Sequence, residues 1–160
     1  MGVFTPLAIR IGAIAWLPKF LPQITAFDRF LQRITRGHLS LLRLAGLPSM
    51  MLTVVGRKSG LVRTTPVLCV PYLRGFLVAG SNFGGAKAPV WVLNVRAAAE
   101  RDEPVTIAVD RHTQQARPRE ITGPEREQVW AHMLKTWPNY AKYAERTDRV
   151  IPVFLFEPAA

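Results

Sequence analysis

Residues 51–72 read MLTVVGRKSGLVRTTPVLCVPY, two apolar runs separated by a basic stretch with two glycines. Met51–Val55 and Val67–Tyr72 are short, apolar and rich in β-branched residues, which predicts two strands. Between them Gly56, Arg57, Lys58, Ser59, Gly60 and Arg63 predict a hairpin connection that holds three cations together. Glycines permit positive φ and close backbone approach, while Ser59 and free N–H groups add donors, so the stretch has the chemistry of a phosphate or carboxylate cradle. A solvated basic hairpin has the same composition, and short motifs of this kind also arise by chance.

Working outward, Leu73-Arg74-Gly75 predicts a tight turn into Phe76–Gly80, giving three consecutive antiparallel strands. Ser81–Pro89 is a glycine-rich loop, and Pro89 suits the first turn of a helix running to about Ala99. Such a loop feeding a helix N-terminus again favours anions. Pro104–Val109 predicts a fourth strand, with His112–Glu120 as its exposed return. Thr122 and Glu125 have capping-box spacing before a helix to about Thr136. Trp137, Tyr140 and Tyr143 recur every three residues on a short helical continuation, and Ile151–Phe156 closes the chain as a strand. Many short strands in hairpins with interspersed helices predict an α+β protein on a closed or nearly closed antiparallel barrel.

The chain has 160 residues, 49% of them hydrophobic, enough for one domain with a real core. Its 21 Lys and Arg against 11 Asp and Glu give a net charge of +10, a field that draws polyanions without choosing among nucleic acid, anionic lipid and a charged cofactor. Residues 1–45 form a predicted N-terminal helical segment ahead of a barrel domain at 46–160. Arg10 and Lys19 interrupt its apolar runs, so no stretch approaches the roughly 20 residues of a membrane span. The same arginine disfavours a signal peptide, and the lone Cys69, most simply core filler, suits a reducing cytoplasm. Six cations up to residue 50 face Asp28 alone, with Phe27, Phe30, Leu31 and Ile34 at helical spacing. Such a basic amphipathic helix fits peripheral contact with the inner face of a membrane, and equally fits docking on its own domain.

Several chemistries are excluded. Gly80–Lys87 departs from a P-loop, since the lysine does not follow the second glycine and Ala88 stands where Ser or Thr must bind magnesium. His38, His112 and His132 lack metal-ligand spacing, no Gly-x-Ser-x-Gly elbow occurs, and no paired carboxylates stand out. Nucleic-acid binding gains only from net charge, because the cations are not interleaved with aromatics in an RNA-binding pattern and no helix-turn-helix is evident. A polyanion groove with an aromatic cluster remains, which fits an enzyme whose reactive centre belongs to a bound cofactor.

Five ordered motifs then coincide: Gly-Arg-Lys-Ser-Gly-x-x-Arg-x-x-Pro at 56–66, Gly80-Ser81-Asn82 with Gly84, Pro89-x-Trp91-x-x-Asn94, Trp137-Pro138-x-Tyr140-x-x-Tyr143, and Thr147-Asp148-Arg149-x-Ile151-Pro152-Val153. Together, over roughly residues 45–158, the chain resembles the deazaflavin (F420)-dependent nitroreductase family. The resemblance implies a split β-barrel of the FMN-binding type with peripheral helices. It implies reduced coenzyme F420, a 5-deazaflavin with an anionic phosphate and oligoglutamate tail, as cofactor. FMN is the rival, although a single phosphate has little need of three clustered cations. By the same resemblance Arg57, Lys58, Ser59, Arg63, Thr64 and Pro66 hold the tail, while Gly80, Ser81, Asn82, Val90, Trp91 and Asn94 line the cofactor. Some members have lysine where Asn82 stands, a charge that Lys87 can replace. Leu68, Trp137, Tyr140 and Tyr143 match the substrate side. Leu68 and Trp137 replace tyrosines of nitroimidazole-reducing members, which implies a less polar pocket and leaves nitroimidazole reduction unassumed.

The function implied is hydride transfer from F420H2 to a quinone, an enone or a nitro compound, with Ser81 or Tyr140 as hydrogen-bond or proton donor. The alternative is a barrel that carries F420 or a lipid at the membrane without turnover.

Overall fold

The computed structural model describes Gln23, residues 47–110 and residues 112–159. The expected N-terminal helices at 1–45 therefore lie, Gln23 apart, outside the described residues, as does His38. Seven strands form one antiparallel sheet: β1 (Ser49–Val55), β2 (Val62–Leu68), β3 (Val70–Tyr72), β4 (Gly75–Ala79), β5 (Val105–Val109), β6 (His112–Ile121) and β7 (Val153–Pro158). Their order across the sheet is β2-β1-β5-β6-β7-β4-β3. Within residues 47–159 three α-helices accompany them, α1 (Val90–Glu100), α2 (Gly123–Thr136) and α3 (Asn139–Glu145).

The two edges of this sheet, β2 and β3, are separated in the chain by Cys69 alone. A single residue cannot span an open sheet, so the sheet must curl until its edges meet, as a split barrel does. Cys69 sits buried in that seam and donates its N–H to the Pro48 carbonyl at 3.0 Å. The expected single strand Val67–Tyr72 is thus two strands joined at a bend, the first pairing with β1 and the second with β4. The expected run of three neighbouring strands is corrected accordingly, because β4 pairs with the last strand, β7, on its other side.

Strand alternation divides the apolar residues between two cores. Met50, Leu52, Val54, Val67, Val78, Ile107, Phe154 and Phe156 face the barrel interior, plugged by Trp91, Val92, Val95 and Ala98 of α1. Leu77, Ala79, Ile121, Val153 and Leu155 face the other way, against Val129 and Met133 of α2 and Tyr140 and Tyr143 of α3. The capping box expected before α2 does not form. Thr122 makes no side-chain cap bond, and Glu125 is instead held by both terminal nitrogens of Arg119, at 2.8 and 3.0 Å. Gly123 enters the helix at φ +62°, with Pro124 in the first turn.

Candidate cofactor site

The basic stretch is part loop and part strand. Gly56 accepts from the Gly60 N–H and donates to the Leu61 carbonyl, each at 2.8 Å, which closes a short loop over residues 56–61. Gly60 takes φ +64° there. From Val62 onward β-branched residues join the ladder, so Arg63, Thr64 and Pro66 lie on strand β2 and not in the expected hairpin connection. Pro66 is tolerated because β2 is an edge strand.

Register decides where these side chains go. Arg63 is the cross-strand partner of Val54, so it shares the face that α1 covers. Thr64 points to the opposite face, where its hydroxyl meets that of Thr53 at 2.8 Å, and Pro66 and Leu68 share that face. Of the expected tail-binding residues, Arg57, Lys58 and Ser59 are therefore on the loop, Arg63 is on one side of β2, and Thr64 and Pro66 are on the other. Asn94, buried on α1, accepts the Arg57 N–H at 3.1 Å and fastens the loop to the first half of that helix. Val90 stands exposed at the start of α1, whereas Trp91 is turned into the barrel interior, edge-on to Phe154. Trp91 thus supports the helix from beneath and does not offer an open ring face.

Charge in this region is uncompensated among the described residues. Every ion pair among the described residues lies elsewhere: Arg96 with Glu120, Arg101 with Glu103, Arg117 with Asp102, and Arg119 with Glu125 and Glu157. Arg57, Lys58, Arg63 and Lys87 are exposed and have no carboxylate partner among the described residues. A shallow depression of about 470 Å³ at the later turns of α1 is lined by Arg96, Ala99, Glu100, Glu120 and Phe154. Its arginine is forked onto Glu120 at 2.6 and 2.7 Å, so it offers no comparable free charge.

The second loop begins at Gly80, whose N–H bonds the Pro152 carbonyl at 2.8 Å. A Cβ at this position would lie 2.5 Å from Val92 Cγ2, so only glycine allows the loop to pass between α1 and Pro152. Asn82, Phe83 and Gly84 follow with φ of 48°, 53° and 80°, a left-handed turn closed by Gly84 N–H to Ser81 and Gly85 N–H to Asn82. The Asn82 amide nitrogen donates to the Lys87 carbonyl at 2.9 Å and so ties the loop across itself. Ser81 is half-buried and its hydroxyl caps nothing. Arg149 donates from three nitrogens to the carbonyls of Gly80, Ser81 and Gly85 at 3.1, 2.6 and 3.0 Å. Sequence reasoning quoted Arg149 within a motif but assigned it no place in the site.

The substrate-side residues do come together. Leu68, Trp137, Tyr140 and Tyr143 belong to one apolar cluster, joined by Phe83 from the second loop and Trp130 from α2. Tyr143 receives Phe83 and Tyr140 edge-on, with ring centroids 5.5 and 6.2 Å away. Both tyrosines are almost wholly buried, so they form a packed wall and not an open face over a ligand. Burial pushes the Tyr140 phenol far above its ordinary range, with the neighbouring Tyr143 and Cys69 adding to the effect. Burial also pushes Tyr143 up to about 12, partly offset by a hydrogen bond with Trp137 and by the Arg146 charge. Cys69 is likewise raised to about 12, by burial first and then by Asp110, which keeps it an inert thiol.

A phenol whose folded pKa exceeds its unfolded value of about 10 stabilises the fold fully below pH 10 and loses that contribution as the pH rises toward 12. Stability is therefore expected to fall across this window. Denaturant titrations at stepwise pH should show a shallower fall in Tyr143→Phe than in the wild type; equal slopes would dismiss the tyrosine as the cause.

The chain thus combines a curled antiparallel sheet, a loop and edge strand whose exposed cations have no carboxylate partner among the described residues, and a packed aromatic cluster. Residues 28–158 match the family described as F420H(2)-dependent quinone reductase, and the chain belongs to that family. An F420H(2)-dependent quinone reductase of Mycobacterium tuberculosis (strain H37Rv) is 26% identical over 140 residues, covering 86% of this chain and 93% of the relative. Among solved structures, an F420-H2 dependent reductase (FDR-A) is 33% identical, with a TM-score of 0.61 over 69% of this chain and 94% of its own. A second, described only as a domain-swapped dimer, is 32% identical, with a TM-score of 0.64 over 82% of this chain and 94% of its own. The protein is accordingly an oxidoreductase of split-barrel fold whose cofactor is coenzyme F420. The residues present fit that group, since a phosphate and several carboxylates need cations, and Arg57, Lys58, Arg63 and Lys87 have no acid partner among the described residues.

Proposed function

We propose that this protein reduces a quinone-type acceptor by hydride transfer from F420H2, with enones and nitro compounds as further acceptors of the same site. The observation that carries the proposal is that Arg57, Lys58 and Arg63 follow one another on one loop and the strand it leads into, and that they and Lys87 are exposed and without carboxylate partners among the described residues. When bound, F420H2 supplies a hydride from C5 of its deazaflavin. The chain's own part is to bind and orient. Arg57, Lys58 and Arg63 take the anionic tail, and arginine forks suit phosphate and carboxylate pairwise. Asn94 keeps the loop that carries Arg57 against α1. The loop at Gly80–Asn82 forms a second wall, and Leu68, Trp137, Tyr140 and Tyr143 exclude water from the acceptor's side.

Of the two candidate donors, Ser81 has the accessible hydroxyl, whereas Tyr140 is buried and keeps its proton. Ser81→Ala is expected to lower kcat with menadione about tenfold, the equivalent of one hydrogen bond of roughly 1.4 kcal/mol, and Tyr140→Phe to change it less than twofold. If Ser81→Ala is as active as the wild type, the serine has no such role.

Titration of the pure protein with F420 and with FMN, followed by F420H2 oxidation with menadione, tests the whole reading. Preferential F420 binding with steady turnover supports it. FMN preference overturns it, and F420 binding without turnover leaves a carrier. Among the described residues no helix is long and apolar enough to cross a membrane. For residues 1–45 we propose peripheral attachment to an anionic bilayer, tested by sedimentation of the full chain with anionic and neutral vesicles.

A further inference from the structure

Arg149 is unusual among the described cations in how it is used. It has no carboxylate partner among the described residues, and it is partly withdrawn from solvent. Its Nε, Nη1 and Nη2 instead donate to three carbonyls of one loop: Gly85 at 3.0 Å, Gly80 at 3.1 Å and Ser81 at 2.6 Å. These carbonyls bracket the left-handed turn at Asn82–Gly84. One of those residues, Phe83, has a bulky side chain that disfavours this conformation, whereas asparagine tolerates it, so at Phe83 it persists only where surroundings impose it.

Several contacts share that task. Pro152 holds Gly80 from the opposite side through its carbonyl, and Gly84 is pressed against α3. Arg149 bridges both ends of the turn. A planar guanidinium can address three carbonyls in fixed directions, whereas a lysine ammonium is a compact point charge on a flexible stem. The position thus requires the shape of arginine as well as its charge.

We propose that Arg149 is a positioning residue of the cofactor site, setting the shape of the Gly80–Lys87 loop and thereby the placement of Ser81, Asn82 and Lys87. This rests on the reading of that loop as a wall for F420. The Ser81 carbonyl that Arg149 binds also accepts the Gly84 N–H, so loss of the fork loosens the turn at its first closing bond.

The test compares Arg149→Lys and Arg149→Gln with the wild type in the full chain. Amide exchange at Gly84 and Gly85, measured by NMR without cofactor, reports the loop alone. In Arg149→Lys it is expected to accelerate at least about tenfold, as for a hydrogen-bonded turn released to open locally. The Kd for F420 and the KM for F420H2 should rise by a similar factor, and kcat should fall by no more than the roughly tenfold loss expected of Ser81→Ala, because the loosened loop also carries the Ser81 hydroxyl, while the KM for menadione stays within about twofold. A folded Arg149→Lys protein with wild-type exchange and wild-type F420 affinity overturns the proposal. So does unfolding of both variants, which would make Arg149 a requirement of the fold. A wild-type chain that binds no F420 sinks the proposed function instead, and the exchange rates then still decide whether Arg149 holds the loop.

Discussion

The Arg57→Ala, Lys58→Ala double variant is expected to bind F420 about 100-fold more weakly than the wild type, since each charged hydrogen bond contributes roughly 1.5–3 kcal/mol and exposure favours the lower end. The loss should appear as a raised KM for F420H2. It should also flatten the salt dependence of binding, because two screened contacts are gone. Stability should hardly change. Both side chains are exposed and unpaired among the described residues, and substitutions at such positions usually stay within about 0.5 kcal/mol. The Arg57 contact with Asn94 runs through the backbone N–H, so it survives truncation to alanine. Unchanged F420 affinity in a folded variant would falsify the tail-clamp assignment. Weak FMN binding, which engages a single phosphate, should respond far less.

The second large effect concerns the other loop. Gly84→Ala should destabilise the protein by about 2–5 kcal/mol, combining the cost of a left-handed L-residue with that of overpacking. Gly84 has φ +80°, and an added Cβ would lie 2.7 Å from the Tyr143 carbonyl oxygen and 2.8 Å from Arg146 Cβ. Neither contact can be relieved by a flexible side-chain end, since one is backbone and the other is the root of a side chain. Relief must come from moving α3 or reshaping the turn, and both disturb the wall formed by Phe83 and Tyr143. Thermal unfolding would show the lower Tm, and F420 affinity would fall with it. Gly60→Ala is a useful control, for Gly60 also has positive φ but open space around it, so it lacks the packing part of the cost. Equal losses at the two positions would mean that the contact with α3 does not matter.

Much of this architecture was legible along the chain. Short apolar runs rich in β-branched residues marked the strands, and Pro89 marked the entry of α1, which begins at the next residue. The family motifs named both loops and the aromatic cluster; the structure packs Leu68, Trp137, Tyr140 and Tyr143 together but parts Arg63 from Thr64 and Pro66 across β2. Local patterns failed where a residue had a better partner far away. Glu125 had the spacing of a capping box, but Arg119, across the turn on β6, captured its carboxylate in a two-point contact. Trp91 and Tyr140 looked like ligand-facing aromatics, whereas the cores that α1 and α3 seal needed their bulk.

From residue types alone the chain determined a strand-rich domain with unneutralised cations grouped in one loop, a short glycine-rich loop after a strand, and an aromatic helix near the end. These are properties of composition and spacing, which a sequence carries in full. Tertiary structure alone decided that Cys69 is the seam of the curled sheet, that Arg63 and Thr64 face opposite sides, and that Arg149 grips a loop more than sixty residues earlier. Each depends on which strands pair and in what register. That choice is made by burying two apolar faces at once, and no local stretch of this sequence specifies it.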